Sequence, residues 1–158
     1  MPNCTVIEGH ARFESAHEMS IGGDRITADR IFLNVGGRAA MPAMPGHEQI
    51  ELFNNSSLME VDFVPKHLIV VGGSYIGLEF GQMFRRFGSE VTIIEMGPRL
   101  VRREDEDVSA AIHGIIEGEG IQIRLNAKCI SFSKRNNQIF AQVDCAEGAP
   151  EVSGTHGP

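Results

Sequence analysis

Cysteine is scarce in this chain, and none of it is paired in sequence. Cys4, Cys129 and Cys145 are three in number and far apart, with no C-x-x-C or other ligand spacing. That excludes a zinc ribbon and a dithiol redox motif, and leaves buried thiols acting as small hydrophobes as the expectation. Long apolar runs are also missing, so no segment reads as a bilayer span. The opening stretch MPNCTVIEGHARFES lacks the positive-then-apolar order of a secretory signal, which points to the cytoplasm. Positive charge is in deficit too. Fourteen Lys and Arg against 21 Asp and Glu give a formal net charge of −7. Nucleic acid is therefore not expected as a partner, because phosphate binding needs clustered cations.

What is present suits a globular α/β chain. Of the 158 residues, 42% are hydrophobic and 22% charged, enough for a core with a polar surface. The first 45 residues read as strands: Thr5–Phe13, Glu18–Ile21, a hairpin turn at Ile21-Gly22-Gly23-Asp24, and a buried-type strand at Ile31–Val35 closed by Gly36-Gly37. Pro42 and Pro45-Gly46 then mark a linker. Beyond Pro65 the pattern changes. His67–Val71 (HLIVV) is a continuous apolar strand of the parallel-sheet kind. Tyr75–Phe87 has helical period, with Ile76, Phe80, Met83, Phe84 and Phe87 on one stripe. Gly77 and Gly81, one turn apart, would let that helix lie close to the sheet, and Gly88 ends it.

A strand at Val91–Ile94 follows, then a helix over Glu104–Glu117 with Val108, Ala111, Ile112, Ile115 and Ile116 as its inner face. The acidic run Glu104–Asp107 is expected to favour the helix N-terminus rather than to bind a metal. Strands are predicted at Ile121–Leu125, Ala127–Ser131 and Ile139–Cys145, and the polar tail Glu151–Pro158 stops where another strand is due. The expected architecture is a Rossmann-like open α/β sheet with an added β-meander.

The chemistry sits in the segment VVGGSYIGLEF. A dinucleotide-binding turn needs a tight bend, close backbone approach to a pyrophosphate and tight helix–sheet packing. Gly72 can supply the first and Gly77 the third, while the helix beginning at Tyr75 aims free N–H groups and its positive dipole end at the phosphates. Ser74 stands where the G-x-G-x-x-G pattern has its middle glycine. Its side chain is small, and its hydroxyl can donate to a phosphate. Glycines alone are weak evidence. Here they follow an apolar strand, open an amphipathic helix, and precede an acidic residue, Glu95, by about the expected 20 residues. A carboxylate there can accept from a ribose diol and would repel a 2′-phosphate, which favours NAD over NADP. Arg99, Arg102 and Arg103 follow closely and keep NADP open. A stand-alone NAD-binding module and, more weakly, an S-adenosylmethionine-dependent methyltransferase remain as rivals, since both use such a turn.

The run LIVVGGSYIGLEFGQMFRRFGSEVTIIEMGPRLVRREDEDVS closely resembles the NAD(P)-binding domain of FAD-dependent pyridine nucleotide–disulfide oxidoreductases, nearest to the dihydrolipoamide dehydrogenase and mercuric reductase branch. Upstream, ADRIFLNVGGRAAMPAMPG resembles that family's second flavin contact, with Asn34-Val35-Gly36 in place of the usual Ala-Thr-Gly. The glycine is kept as Gly36, whereas Val35 offers no hydroxyl where the family has its threonine.

The resemblance implies that residues 1–46 are the tail portion of a flavin-binding domain and residues 47–158 an NAD(P)-binding domain cut at its C-terminus. It implies that Gly72, Gly73, Ser74 and Gly77, with Ile76 in the same turn, line the pyrophosphate. Glu95 would hold the adenosine ribose and Glu79 the nicotinamide carboxamide, and Tyr75, the only tyrosine, would cover the flavin face. Without the resemblance, Tyr75 reads as a half-buried helix-start aromatic and Glu79 as an exposed carboxylate. In the implied parent, hydride passes from NAD(P)H to FAD and on to a disulfide and an acceptor. The family's N-terminal flavin motif, C-x-x-x-x-C pair and dimerisation domain are not in this sequence, so the isolated chain is expected to be inactive. Ile31 and Leu33, lacking a flavin domain, are expected to be disordered or to pair with a second chain.

Overall fold

The computed structural model describes residues 3–136, 138–144 and 151–155, and falls into two compact units, Met1–Arg38 and Ala39–Pro158. The first unit is an antiparallel meander of β1 (Ala11–Phe13), β2 (Glu18–Ile21) and β3 (Asp24–Thr27). Gly22 and Gly23 make the β2–β3 turn as expected, with Ile21 opposite Asp24. Two expectations fail in this unit. Only the last three residues of Thr5–Phe13 form a strand, and Ile31–Val35 belongs to no strand. A strand is defined by its ladder, and among the described residues no neighbour lies beside 31–35 to complete one. Its apolar side chains stand in solvent instead, Phe32 at 89% exposure and Val35 at 87%.

The second unit is built on the parallel sheet β4 (His67–Val71), β5 (Glu90–Ile94) and β6 (Gln122–Arg124), in that order. Helices α1 (Tyr75–Arg86) and α2 (Glu106–Gly118) form its crossovers. This is the Rossmann-like α/β arrangement. Val91, Thr92, Ile93 and Ile94 of β5 are all essentially inaccessible, as befits a central strand covered on both faces. Leu78, Phe84, Leu100, Ile116 and Ile121 complete the core around β5.

Gly77 determines how closely α1 lies on the sheet. A Cβ there would sit 2.1 Å from the Gly72 carbonyl oxygen, and one at Gly81 would meet the Ile93 side chain at 3.2 Å. The buried face of α1 is accordingly Leu78, Gly81 and Phe84, whereas Ile76 and Phe87 of the expected stripe are exposed. The stripe on α2 is also rotated. Ser109 and Ile116 are buried with Ile112 packed beside them, while Val108, Ala111 and Ile115 face outward. The cause is a buried hydrogen bond, Ser109 Oγ–H to the Leu100 carbonyl at 2.8 Å, which fixes the rotation of the helix about its axis.

A second antiparallel meander follows: β7 (Ser131–Arg135), β8 (Gln138–Gln142) and β9 (Glu151–Thr155). It begins four residues later than the predicted Ala127–Ser131. The tail, expected to stop short of a strand, supplies β9, whose Thr155 Oγ accepts from the His67 N–H at 2.9 Å. Cys145 and residues 156–158 of these predictions lie outside the described residues. Cys4 is exposed rather than buried, and Cys129 is half-buried and not a free thiol. No helix among the described residues is long and apolar enough to cross a membrane, and no group of three metal-ligating side chains occurs among them.

Candidate dinucleotide site

The turn from β4 into α1 brings together five of the residues expected at the site: Gly72, Gly73, Ser74, Gly77 and Glu95. Gly72 takes φ +113°, a backbone conformation other residues rarely adopt, and this bend turns the chain off the strand end. Its N–H donates to the Ile94 carbonyl at 2.8 Å, so the bend begins while still attached to β5. Ser74 is the N-cap of α1 with extended backbone, and its hydroxyl makes no capping bond. The N–H groups of the first turn have no intrahelical acceptor, as at any helix start. Free donors, a positive dipole end and an uncommitted hydroxyl therefore converge on one exposed spot, a ready anion site.

Glu95, directly after β5, is half-buried beside this turn. Its Oε2 accepts from the Gly73 N–H at 2.8 Å and its Oε1 from the Gly97 N–H at 2.6 Å. Each carboxylate oxygen can accept more than one hydrogen bond, so the group still has lone pairs for a diol. The carboxylate thus has a structural task in addition to any ligand, which its spacing alone did not reveal.

The loop after Glu95 is the part of the site that the sequence did not disclose. Leu100 is fully buried, and its Cδ2 lies 2.6 Å from where a Gly73 Cβ would be. Val101 donates its N–H to the Gly73 carbonyl at 2.8 Å while holding φ +41°. For a β-branched residue that is a genuine outlier, and strain of this kind collects at functional turns. Gly73 is consequently held from both sides, its N–H by Glu95 and its C=O by Val101. The only sequence trace is the Gly73–Glu95 spacing; a valine gives no sign of positive φ.

The arginines divide. Arg99 is committed: Nη1 pairs with Glu106 at 2.8 Å, and Nη2 reaches the carbonyls of Arg102 and Glu104 at 3.4 and 3.3 Å. Arg102 is exposed, and its side chain lies over Gly97, beside the Glu95 carboxylate. Arg103 is exposed as well. Of the three candidates for a 2′-phosphate, Arg102 is the one the fold sets next to the carboxylate.

The remaining expected residues are placed differently. Tyr75 and Glu79 are exposed and one turn apart, hence on one edge of α1. Ile76 borders an apolar cavity beside β4 that Gly72, Ser74 and Gly77 of the turn also line. Gly36, at φ +69°, belongs to the first unit.

This geometry has counterparts among known proteins. The chain is 36% identical over 157 residues to the probable pyridine nucleotide-disulfide oxidoreductase RclA of Escherichia coli (strain K12), covering 96% of this chain and 36% of that protein. A mercuric reductase of Bacillus cereus is 35% identical over 118 residues, 75% of this chain and 19% of the relative. Among solved structures, the HOCl-induced flavoprotein disulfide reductase RclA from Escherichia coli superposes with a TM-score of 0.78 at 33% identity, covering 98% of this chain and 35% of that one. The chain thus spans about a third or less of the length of these relatives. The family model described as pyridine nucleotide-disulphide oxidoreductase matches residues 2–151. With the glycine turn, the acidic strand end and nearly the whole chain aligned to it, the protein belongs to the pyridine nucleotide-disulphide oxidoreductase family.

Proposed function

We propose that this chain is the nicotinamide-nucleotide-binding segment of a flavin-dependent disulfide oxidoreductase, taking NAD in preference to NADP. The observation that carries the proposal is the Gly73–Glu95 pair at the mouth of the turn. It supports a pyrophosphate over the α1 N-terminus, against Gly72, Gly73, Ser74 and Gly77, with the adenosine ribose on Glu95. The Glu95 carboxylate disfavours a 2′-phosphate electrostatically, and Arg102 limits that preference. Tyr75 and Glu79, on one exposed edge of α1, would meet the nicotinamide end of the same ligand. In this reading residues 47–158 are the nucleotide domain and residues 1–46, with Gly36, belong to a flavin domain of a longer parent.

When bound, the nicotinamide supplies hydride and the parent's flavin relays the electrons to a disulfide; the chain's own residues bind and orient. No redox-active C-x-x-x-x-C pair is present in the sequence, so NADH with a disulfide substrate should give no rate above background with this chain alone. A flavin-dependent rate would overturn that statement.

The test of binding is calorimetry with NADH, NADPH and S-adenosylmethionine on wild type and Glu95→Ala. NADH should bind most tightly and lose affinity on substitution; tightest binding of S-adenosylmethionine would move the assignment to a methyltransferase. Whether the nucleotide serves a parent enzyme or a stand-alone binding module is decided by the genomic reading frame on either side of the chain. A flanking C-x-x-x-x-C supports the enzyme.

A further inference from the structure

The segment that leaves β6 grips the loop carrying Glu95. Glu95 N–H donates to the Arg124 carbonyl at 2.8 Å, and Ala127 N–H donates to the Glu95 carbonyl at 3.1 Å. Asn126 N–H donates to the Gly97 carbonyl at 2.9 Å from a backbone at φ +58°, which asparagine tolerates better than most residues. Gly97 is thereby held at both ends, its N–H by the Glu95 carboxylate and its carbonyl by Asn126. A restraint on residues 126 and 127 is therefore also a restraint on the stretch that presents this carboxylate.

Such a restraint lies two residues further on. Cys129 is half-buried and disulfide-bonded. Cys4 is free, so of the three cysteines in the sequence Cys145, outside the described residues, is the partner left within the chain. The β7–β8 ladder sets Ser131 opposite Gln142. Continued two places, that register brings Cys129 opposite Asp144, the neighbour of Cys145 in sequence. Val143 packs on the cluster that contains Ala127 and Ile130, so the two segments stay together beyond the ladder. The meander does not depend on the crosslink. β8 has five partners on β7 and five on β9, and Ala127, Ile130, Phe132 and Ala141 form a core with Ile94.

We propose that Cys129 and Cys145 form a reversible disulfide that tunes the nucleotide site, an inference resting on the nucleotide reading above. Formation joins the two sulfurs by exchange with a low-molecular-weight disulfide, which takes up the two electrons and two thiol protons and leaves as two thiols. A dithiol reverses the exchange and is itself oxidised to a disulfide. Cys129 is not sealed in the core, which leaves the bond open to this chemistry. The crosslink narrows the conformations open to residues 126–129 and so holds the Glu95–Gly97 stretch ready for the ribose. The oxidised chain binds NADH more tightly, and by linkage NADH protects the bond from reduction by the same factor.

Peptide mapping of the 158-residue chain tests the bond, after equilibration with oxidised glutathione and blocking of free thiols with iodoacetamide. The label should fall on Cys4 alone, with Cys129 linked to Cys145. Calorimetry with NADH should then show affinity falling by about 5-fold or more when dithiothreitol is added. Cys145→Ser should hold the reduced affinity with or without dithiothreitol, and reduction of the wild type makes the same comparison without a substitution. Label on all three cysteines, or a bond joining two chains, overturns the proposal. Equal NADH affinity in the oxidised and reduced chains also overturns it, and leaves the nucleotide assignment standing. Absence of NADH binding in both forms overturns the two together.

Discussion

The Val101 N–H meets the Gly73 carbonyl at 2.8 Å, and Val101 holds φ +41° to make that bond. A left-handed conformation costs a non-glycine residue roughly 1–2 kcal/mol. The loop after β5 therefore keeps part of its strain at the glycine turn. Val101→Gly should relieve that strain and offset most of the apolar packing it deletes, so the net change is expected to stay within about 1 kcal/mol. Val101→Pro removes the N–H and forces negative φ, and should destabilise by about 3 kcal/mol or more. Urea unfolding of the two variants measures the difference, and equal losses would show that φ is not the cause.

Gly77 tests the close approach of α1. A Cβ 2.1 Å from the Gly72 oxygen cannot be accommodated without backbone movement. Gly77→Ala is expected to destabilise by about 1–3 kcal/mol, as overpacking does, and to weaken nucleotide binding by displacing the helix N-terminus. Gly114→Ala, where a Cβ meets nothing within 4 Å, is the control and should gain about 0.5–1 kcal/mol from helix propensity. Thermal melts of both are the measurement.

Glu95→Gln separates the structural task of the carboxylate from its charge. An amide can accept at only one of its two ends, so either the Gly73 or the Gly97 N–H loses its partner. A cost of about 1–3 kcal/mol is expected in unfolding measurements. With the charge removed, the NADH-to-NADPH affinity ratio should fall towards unity. A ratio unchanged from wild type would show that Glu95 takes no part in the discrimination.

Stability should fall in acid through His67. Burial pushes its imidazole below the ordinary histidine value, with the nearby Glu90 carboxylate pulling weakly the other way. Its Nε2 lies 2.9 Å from the inaccessible Thr92 hydroxyl. Because the folded pKa is lowered, the unfolded chain binds the proton more readily. The contribution is fully present above the unfolded value of about 6.5 and is lost as pH falls from there towards the folded value. Unfolding free energies measured from pH 7.5 downward should show this decline in wild type and a shallower one in His67→Asn. Parallel curves would remove His67 as the cause.

Much of the site is legible in the sequence because its parts are local. Apolar HLIVV, the glycines at fixed offsets and a carboxylate about 20 residues on specify a strand, a bend and a helix start without long-range information, and the fold places them so. What escapes depends on partners distant in sequence. Ile31–Val35 has strand composition, yet a strand exists only with a neighbour, and composition cannot supply one. The α2 stripe misleads because five apolar residues outvote Ser109, whose buried bond to Leu100 sets the helix rotation. The tail Glu151–Thr155, polar and glycine-containing, becomes β9 because β8 offers it a complete ladder. Val101 gives no signal, since positive φ at valine is imposed by Gly73 and not by its own preference.

The most direct test of the central claim is a calorimetric titration of the 158-residue chain with NADH, repeated on Gly77→Ala and Glu95→Ala. Saturable one-site binding to wild type, weakened by both substitutions, is the predicted result. Absence of binding to folded wild type, or binding that neither substitution alters, would contradict a nucleotide site at the Gly72–Gly77 turn.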